Sequence, residues 1–317
     1  MPARSRRRAG PGARAWRGIW RIADPKITLA SAASMFLGGA AAARAGEIAW
    51  GWLGLTALGI FLLEAAKNAS GEIFDFDSGV DQAVADRDRS PFSGGKRVLV
   101  DGLLTRRQTA AVAAAFYGSG IAAGLAVALL REPRVLWLGL AGVALAFFYH
   151  APPLRLSYRG LGELAVAVTY GPLICCGTYL VQRGQLPSWV VLVSLPLGLL
   201  VAAFLWVNEF PDFRADAAGG KRTLVVRLGR RRASRVFGAM VLAAYAGMAL
   251  LPAAGLPAAV WLGLAGLPHA LAAAARLRAS PETTARVVPA QAWTLASFAL
   301  ASLGVGLGLV LAGRGTG

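Results

Sequence analysis

Two short stretches carry most of the side chains able to do chemistry, and both are acidic. The first reads Lys67-Asn68-Ala69-Ser70-Gly71-Glu72-Ile73-Phe74-Asp75-Phe76-Asp77-Ser78-Gly79-Val80-Asp81. Asn68, Glu72 and Asp75 recur at i, i+4 and i+7, so one helix face presents all three. Asp81 would leave that face on a continued helix, but Gly79 lets the chain turn it back. The second reads Asn208-Glu209-Phe210-Pro211-Asp212-Phe213-Arg214-Ala215-Asp216. There Asn208, Asp212 and Asp216 drift only about 40° per step around a helix, and Pro211 removes one backbone bond.

A glycine-rich basic turn follows each stretch: Ser93-Gly94-Gly95-Lys96-Arg97 after the first, Gly219-Gly220-Lys221-Arg222-Thr223 after the second. Carboxylates beside such a turn suit a magnesium-bridged phosphate. Mg²⁺ takes one or two carboxylates plus phosphate oxygens, and the cations grip the rest of the anion. A single acidic run is most simply a solvated face. Two alike, each followed by Gly-Gly-Lys-Arg, read as two halves of one diphosphate site.

The elements that must position them are membrane helices. Apolar residues make up 56% of the 317 and charged residues 15%, with mean hydropathy +0.55, which argues against a soluble domain. The net charge of +17 would suit nucleic acid, but the basic residues lie between long apolar runs, so nucleic acid is excluded as a partner. A crossing needs about 20 mostly apolar residues. Nine candidate spans lie near 27–44, 47–66, 108–130, 135–150, 161–181, 188–208, 234–254, 256–275 and 289–312. With the N-terminus cytoplasmic, all but five of the 33 Lys and Arg fall on the cytoplasmic side. The exceptions are Arg44, Arg131, Arg134, Arg183 and Arg314, and so lopsided a split predicts an N-in topology in the inner cell membrane. Both acidic clusters then face the cytoplasm.

Residues 1–26, with Arg4, Arg6, Arg7 and Arg8, read as a basic cytoplasmic tail that orients the chain and meets anionic lipid. Residues 27–317 read as a single transmembrane domain. Cys175 and Cys176 are adjacent and read as small packing residues. With only His150 and His269 besides, a histidine-based metal or haem site is not expected. No protein partner is indicated.

Asn208 to Gly229, NEFPDFRADAAGGKRTLVVRLG, resembles the second aspartate-rich motif of the UbiA superfamily of intramembrane prenyltransferases, with its trailing Gly-Lys-Arg-Thr. Residues 96–105, KRVLVDGLLT, are similar to the segment after that family's first motif. Tyr158-Arg159-Gly160-Leu161-Gly162-Glu163 resembles the branch that prenylates 1,4-dihydroxy-2-naphthoate in menaquinone synthesis. One departure stands out. The family's first motif usually begins Asn-Asp-x-x-Asp, whereas this chain has Gly71-Glu72-Ile73-Phe74-Asp75; Glu72 can still ligate a cation, and Asn68, one turn earlier, can supply the missing amide.

The resemblance implies an all-α bundle that moves a polyprenyl group from its diphosphate to an aromatic acceptor, most simply 1,4-dihydroxy-2-naphthoate, giving demethylmenaquinone. Mg²⁺ would be held by Glu72, Asp75, Asp81, Asp212 and Asp216, the four aspartates being catalytic. Asn68, Lys96, Arg97, Tyr149, Arg155, Arg159, Asn208, Lys221 and Arg222 would bind the substrates, with Arg159 or Arg155 meeting an acceptor carboxylate. Phe147, Phe148, Tyr149 and Trp206 are candidates to face an allylic cation. Other acceptors (4-hydroxybenzoate, haem, chlorophyllide, a phosphoribosyl donor) and a terpene cyclase share the same metal site. A secondary transporter, which places carboxylates near the midplane, would have to rely on Glu64 and Glu163.

Overall fold

The computed structural model describes residues 11–313, which are helical with no strand. Arg4, Arg6, Arg7 and Arg8 of the basic tail, and Arg314, lie outside them. The principal helices are α1 (Pro11–Ala23), α2 (Pro25–Ala45), α3 (Trp50–Asp77), α4 (Arg106–Leu130), α5 (Val135–Phe148), α6 (Gly162–Arg183), α7 (Ser188–Ala218), α8 (Arg230–Leu250), α9 (Ala258–Ala279) and α10 (Thr284–Leu311). Among the described residues, α4, α6, α7, α8 with its 3₁₀ extension, α9 and α10 are long and apolar enough to cross a membrane; a bent pair formed by α1 and α2 would make a seventh. The expected spans at 47–66 and 135–150 are helical. The first falls in α3, which carries Glu64 and Lys67, and the second, α5, has only 14 residues.

Local sequence explains the ends. Thr105 caps α4, accepting from the Gln108 N–H while the Gln108 side chain accepts from the Thr105 N–H, a reciprocal box that satisfies two otherwise orphaned donors. Gly184 ends α6 in the left-handed conformation, which costs glycine nothing. Helix α6 also contains a π turn at Thr169–Leu173, around Pro172.

Helix α7 is the axis of the bundle, packed against α6, α8 and α10, and most of its residues are buried. Helix α3 pairs with α4 beside it. Between α2, α3 and α6, Glu64 accepts from the Ser31 hydroxyl (2.7 Å) and from the Tyr170 hydroxyl (2.7 Å). A buried carboxylate is tolerable when both oxygens are bonded, so Glu64 is a cross-link between helices.

Helix α1 was expected only as part of a tail. Instead its Gly18 and Ile22 are buried against Leu104, Val98 and Ala69, a stripe at i, i+4 spacing. Trp16 and Trp20 point outward. Three polar ties reinforce the docking: Arg21 to Asp101 at 2.6 Å, Lys96 to Asp24, and the Asn68 amide donating to the Ile22 carbonyl at 3.0 Å.

Candidate active site

The two acidic stretches end α3 and α7, and the bundle brings those ends together. Helix α3 stops at Asp77; Gly79 takes φ +82, and a short helix at Val80–Ala83 turns Asp81 back inward, as the sequence predicted. In the second stretch α7 runs unbroken through Pro211, so Asn208, Asp212 and Asp216 share one face. Together with Asn68, Glu72, Asp75 and Asp81 they line a chamber of ≈ 670 Å³. Lys67, Lys96, Arg97, Tyr149, His150, Glu209 and Lys221 also belong to its polar wall, and Trp20 and Arg21 of α1 stand at its edge.

Lys221 links the halves, with Nζ 3.4 Å from Asp75 Oδ2 and 3.7 Å from Asp216 Oδ1. Burial alone would lower its pKa, but Asp75 and Asp216 reverse the balance and hold it well above the usual lysine range. The Tyr158 hydroxyl donates to Asp75 Oδ1 at 2.7 Å and shares a second bond with Ser78 at 2.7 Å. Burial and the neighbouring Asp75 raise the Tyr158 phenol, so it remains a donor. Burial, then Asp75 and Glu72, push the Asp81 carboxyl up to about 8.

Several buried oxygens in the chamber have no hydrogen-bond partner: Asp81 Oδ2, Asn208 Oδ1, Glu209 Oε2, Asp212 Oδ1 and Asp216 Oδ1. An unsatisfied buried acceptor costs about 1–3 kcal/mol, more when charged, so this many together call for a cation. Among the described residues no three His, Cys, Asp or Glu groups close on one point as a metal cluster. The carboxylates instead face one another from the ends of two helices.

Other expected residues are placed differently. Glu72 gives one oxygen to the Leu99 N–H at 2.8 Å and braces the loop behind the chamber. Lys96 pairs with Asp24 of the α1–α2 junction, and Arg97 with the Asp81 carbonyl at 3.0 Å. Arg155, Arg159 and Arg222, expected to grip anions, do not line the chamber. The Arg155 guanidinium stacks 4.0 Å from the Tyr158 ring centre. The Arg159 side chain is exposed, and the Arg222 N–H donates to the Tyr158 carbonyl at 3.0 Å. Of the four aromatic candidates only Tyr149 faces the chamber. Trp206 is buried in the core, its indole N–H donating to the Ala233 carbonyl at 3.1 Å; Phe147 packs edge-on against Phe148 and Tyr117.

Sequence reasoning missed Lys67, His150 and Glu209 as chamber residues. Lys67 and Glu209 belong to the acidic stretches and could have been included on that ground; His150 had no such signal.

Past Lys67 and Tyr149, which border both spaces, the chamber meets a groove of ≈ 160 Å³ between α3, α4, α5 and α6. Its wall is almost wholly apolar, including Leu55, Leu63, Val127, Leu138, Leu145 and Leu173. The joined space suits an amphiphile with an anionic head and a hydrocarbon tail.

Comparisons with known proteins agree with this geometry. The sequence model of the UbiA prenyltransferase family matches residues 32–298. The chain is 32% identical over 259 residues to a 1,4-dihydroxy-2-naphthoate octaprenyltransferase of Mycobacterium tuberculosis, covering 81% of this chain and 84% of that one. It is 30% identical over 249 residues to a UbiA prenyltransferase domain-containing protein 1 homolog of Drosophila melanogaster, covering 77% and 65%. Against that protein and several other curated relatives, the match spans only about three fifths of the relative's length. An apo UbiA homologue from Aeropyrum pernix K1 superposes with TM-score 0.66 at 21% identity, covering 90% of this chain and 97% of that one. A UbiA homologue from Archaeoglobus fulgidus bound to GPP and Mg²⁺ gives 0.59 at 14%, covering 91% and 99%. Both likenesses show the fold.

Proposed function

The chain belongs to the UbiA prenyltransferase family, and from that premise we propose that it transfers a polyprenyl group from its diphosphate to an aromatic ring carbon, with 1,4-dihydroxy-2-naphthoate as acceptor. One observation carries the reading: a chamber of unpartnered carboxylate oxygens continues past Lys67 and Tyr149 into an apolar groove. Head and tail of a prenyl diphosphate demand those two environments in that order.

The donor set fits Mg²⁺, being oxygen-rich and short of positive charge. Asp75, Asp81, Asp212 and Asp216 would hold the ion, with Glu72 bracing the loop beside them. Bound there, Mg²⁺ would neutralise the negative charge that develops on the departing diphosphate. Lys221 stays charged between the clusters and adds a fixed ammonium to the same anion. The Tyr158 hydroxyl orients Asp75. As the allylic carbon–oxygen bond breaks, the Tyr149 ring face at the neck meets the developing carbocation, and the apolar groove keeps water from it. A new carbon–carbon bond forms at the ring carbon that loses its carboxylate as carbon dioxide.

Support for this acceptor comes from the naphthoate transferase among the relatives and from the Tyr158–Glu163 segment, which joins the two halves. Tyr158 holds Asp75, and Glu163 accepts from the Leu224 N–H at 2.7 Å. Because Arg159 points away, Lys67 takes over as the cation for an acceptor carboxylate. The wider reading keeps nine spans with the N-terminus cytoplasmic, a basic segment over 1–26 whose helix α1 docks at the chamber edge, and one domain over 27–317. It places the chamber on the cytoplasmic face of the inner membrane.

The test is to supply the purified protein in lipid vesicles with Mg²⁺, a polyprenyl diphosphate and a panel of aromatic acceptors, and to identify products by mass. Prenylated naphthoquinol lacking the carboxylate supports the proposal. Prenylated 4-hydroxybenzoate with its carboxylate retained moves the chain to another branch, and a hydrocarbon formed without acceptor makes it a cyclase.

A further inference from the structure

The departure at Gly71 leaves the first acidic cluster one polar side chain short, and the structure fills the gap from elsewhere in the chain. A Cβ built on Gly71 would lie 2.6 Å from Cε1 and 2.8 Å from Nδ1 of His150, closer than real side chains allow. The imidazole therefore occupies the volume into which a side chain at 71 would grow. It enters from the turn after α5, roughly eighty residues along the chain, and packs edge-on against Tyr149 with ring centres 4.8 Å apart.

The ring is buried and its Nδ1 has no hydrogen-bond partner. Its Nε2 lies 3.8 Å from Asp75 Oδ2, beyond hydrogen-bond reach, and the residue lines the chamber. With no hydrogen bond made through Nδ1, the ring can reach a partner through Nε2, and that atom lies beside Asp75. Asn68, the other candidate for the missing group, is turned toward α1, where it donates one amide N–H to the Ile22 carbonyl.

We propose that His150 supplies the polar side chain that position 71 lacks, and that its Nε2–H donates to a diphosphate oxygen beside Asp75. The inference rests on the chamber's binding a prenyl diphosphate. Mg²⁺ prefers oxygen ligands, so the imidazole is assigned to the anion and the carboxylates to the metal. Gly71 and His150 form a linked pair: an imidazole here requires glycine there.

The experiment measures binding of an unreactive analogue, geranyl S-thiolodiphosphate with Mg²⁺, by calorimetry on the full chain in detergent, with a thermal melt of each variant. His150→Phe fills the space without an N–H, and it is expected to stay folded and bind roughly tenfold more weakly, the usual loss of one hydrogen bond to a charged group. Gly71→Asn alone collides with the ring and also weakens binding. Gly71→Asn with His150→Ala restores affinity to within about threefold of the unaltered protein, whereas Gly71→Leu with His150→Ala, isosteric but apolar, does not. Equal affinity in His150→Phe overturns the proposal, as does equal rescue by Asn and Leu, which would make His150 a packing residue. If the unaltered protein fails to bind the analogue, the reading of the chamber falls and His150's role with it. Binding by the unaltered protein together with a failed swap overturns the role of His150 alone.

Discussion

Asp81 shows how a single side chain reports the state of the chamber. Its carboxyl is held near 8 by burial and by Asp75 and Glu72, so in the metal-free fold it keeps its proton far above the ordinary carboxylate range. A raised acid pKa means that the folded state binds the proton more tightly than the unfolded chain. Stability is then greatest in acid and declines as pH rises from about 4 toward 8. Melting temperatures followed against pH in the presence of a chelator should fall through that window. Asp81→Asn should lessen the fall, and Mg²⁺ should lessen it in the unaltered protein by giving the carboxylate a partner. An identical slope in Asp81→Asn would show that its carboxyl is not the group responsible. The aspartates and Lys221 were legible because helical spacing puts Asn208, Asp212 and Asp216 on one face whatever the surroundings. Arg155, Arg159, Arg222 and Trp206 were misplaced for the opposite reason. A cation or an aromatic near a motif in sequence can stack on a ring, as Arg155 does, stay at the surface, as Arg159 does, or enter the core, as Trp206 does, and only tertiary contacts decide which. His150 was invisible because nothing in the sequence connects it with Gly71.

At the scale of elements, α1 changes most from expectation. Its Gly18–Ile22 stripe packs it beside the first cluster, and Asn68, Asp101 and Lys96 are tied to it or to its end. That docking was hard to foresee, because the stripe is short and its receiving surface, Val98 and Leu104, lies in a loop. A Cβ at Gly18 would come 2.7 Å from Leu104 Cγ. Gly18→Val should therefore lift α1 from the chamber edge. We expect a several-fold weaker affinity for prenyl diphosphate with the melt of the bundle nearly unchanged, because the core helices do not use that contact. Unchanged affinity in calorimetry would make α1 a membrane flank without influence on the site. The groove gives a second prediction at this scale. Gly139 of α5 lines it, and a Cβ there meets nothing within 4 Å. Gly139→Phe should fill part of the space and shift donor preference toward shorter prenyl chains in competition assays, with short-chain turnover within about threefold of the unaltered protein. An unchanged preference would place the tail elsewhere.

For the whole molecule, the bundle joins an ionic chamber at the ends of α3 and α7 to an apolar groove inside it, with Lys67 and Tyr149 at the neck. The helical membrane character was legible from hydropathy alone. The number of crossings was less plain, because α3 carries Glu64 and Lys67 among apolar residues and α5 has only 14 residues. Glu64, which a transporter reading would need free, is locked by Ser31 and Tyr170. The central claim is that the chamber releases diphosphate only by handing its prenyl group to a ring. The most direct measurement counts inorganic diphosphate and prenylated product together, in vesicles given Mg²⁺, a polyprenyl diphosphate and 1,4-dihydroxy-2-naphthoate. The predicted result is one diphosphate per prenylated ring, none when Mg²⁺ or the acceptor is left out, and a loss of about a hundredfold or more in Asp212→Asn. Diphosphate released at the same rate without an acceptor, or undiminished in Asp212→Asn, would contradict it.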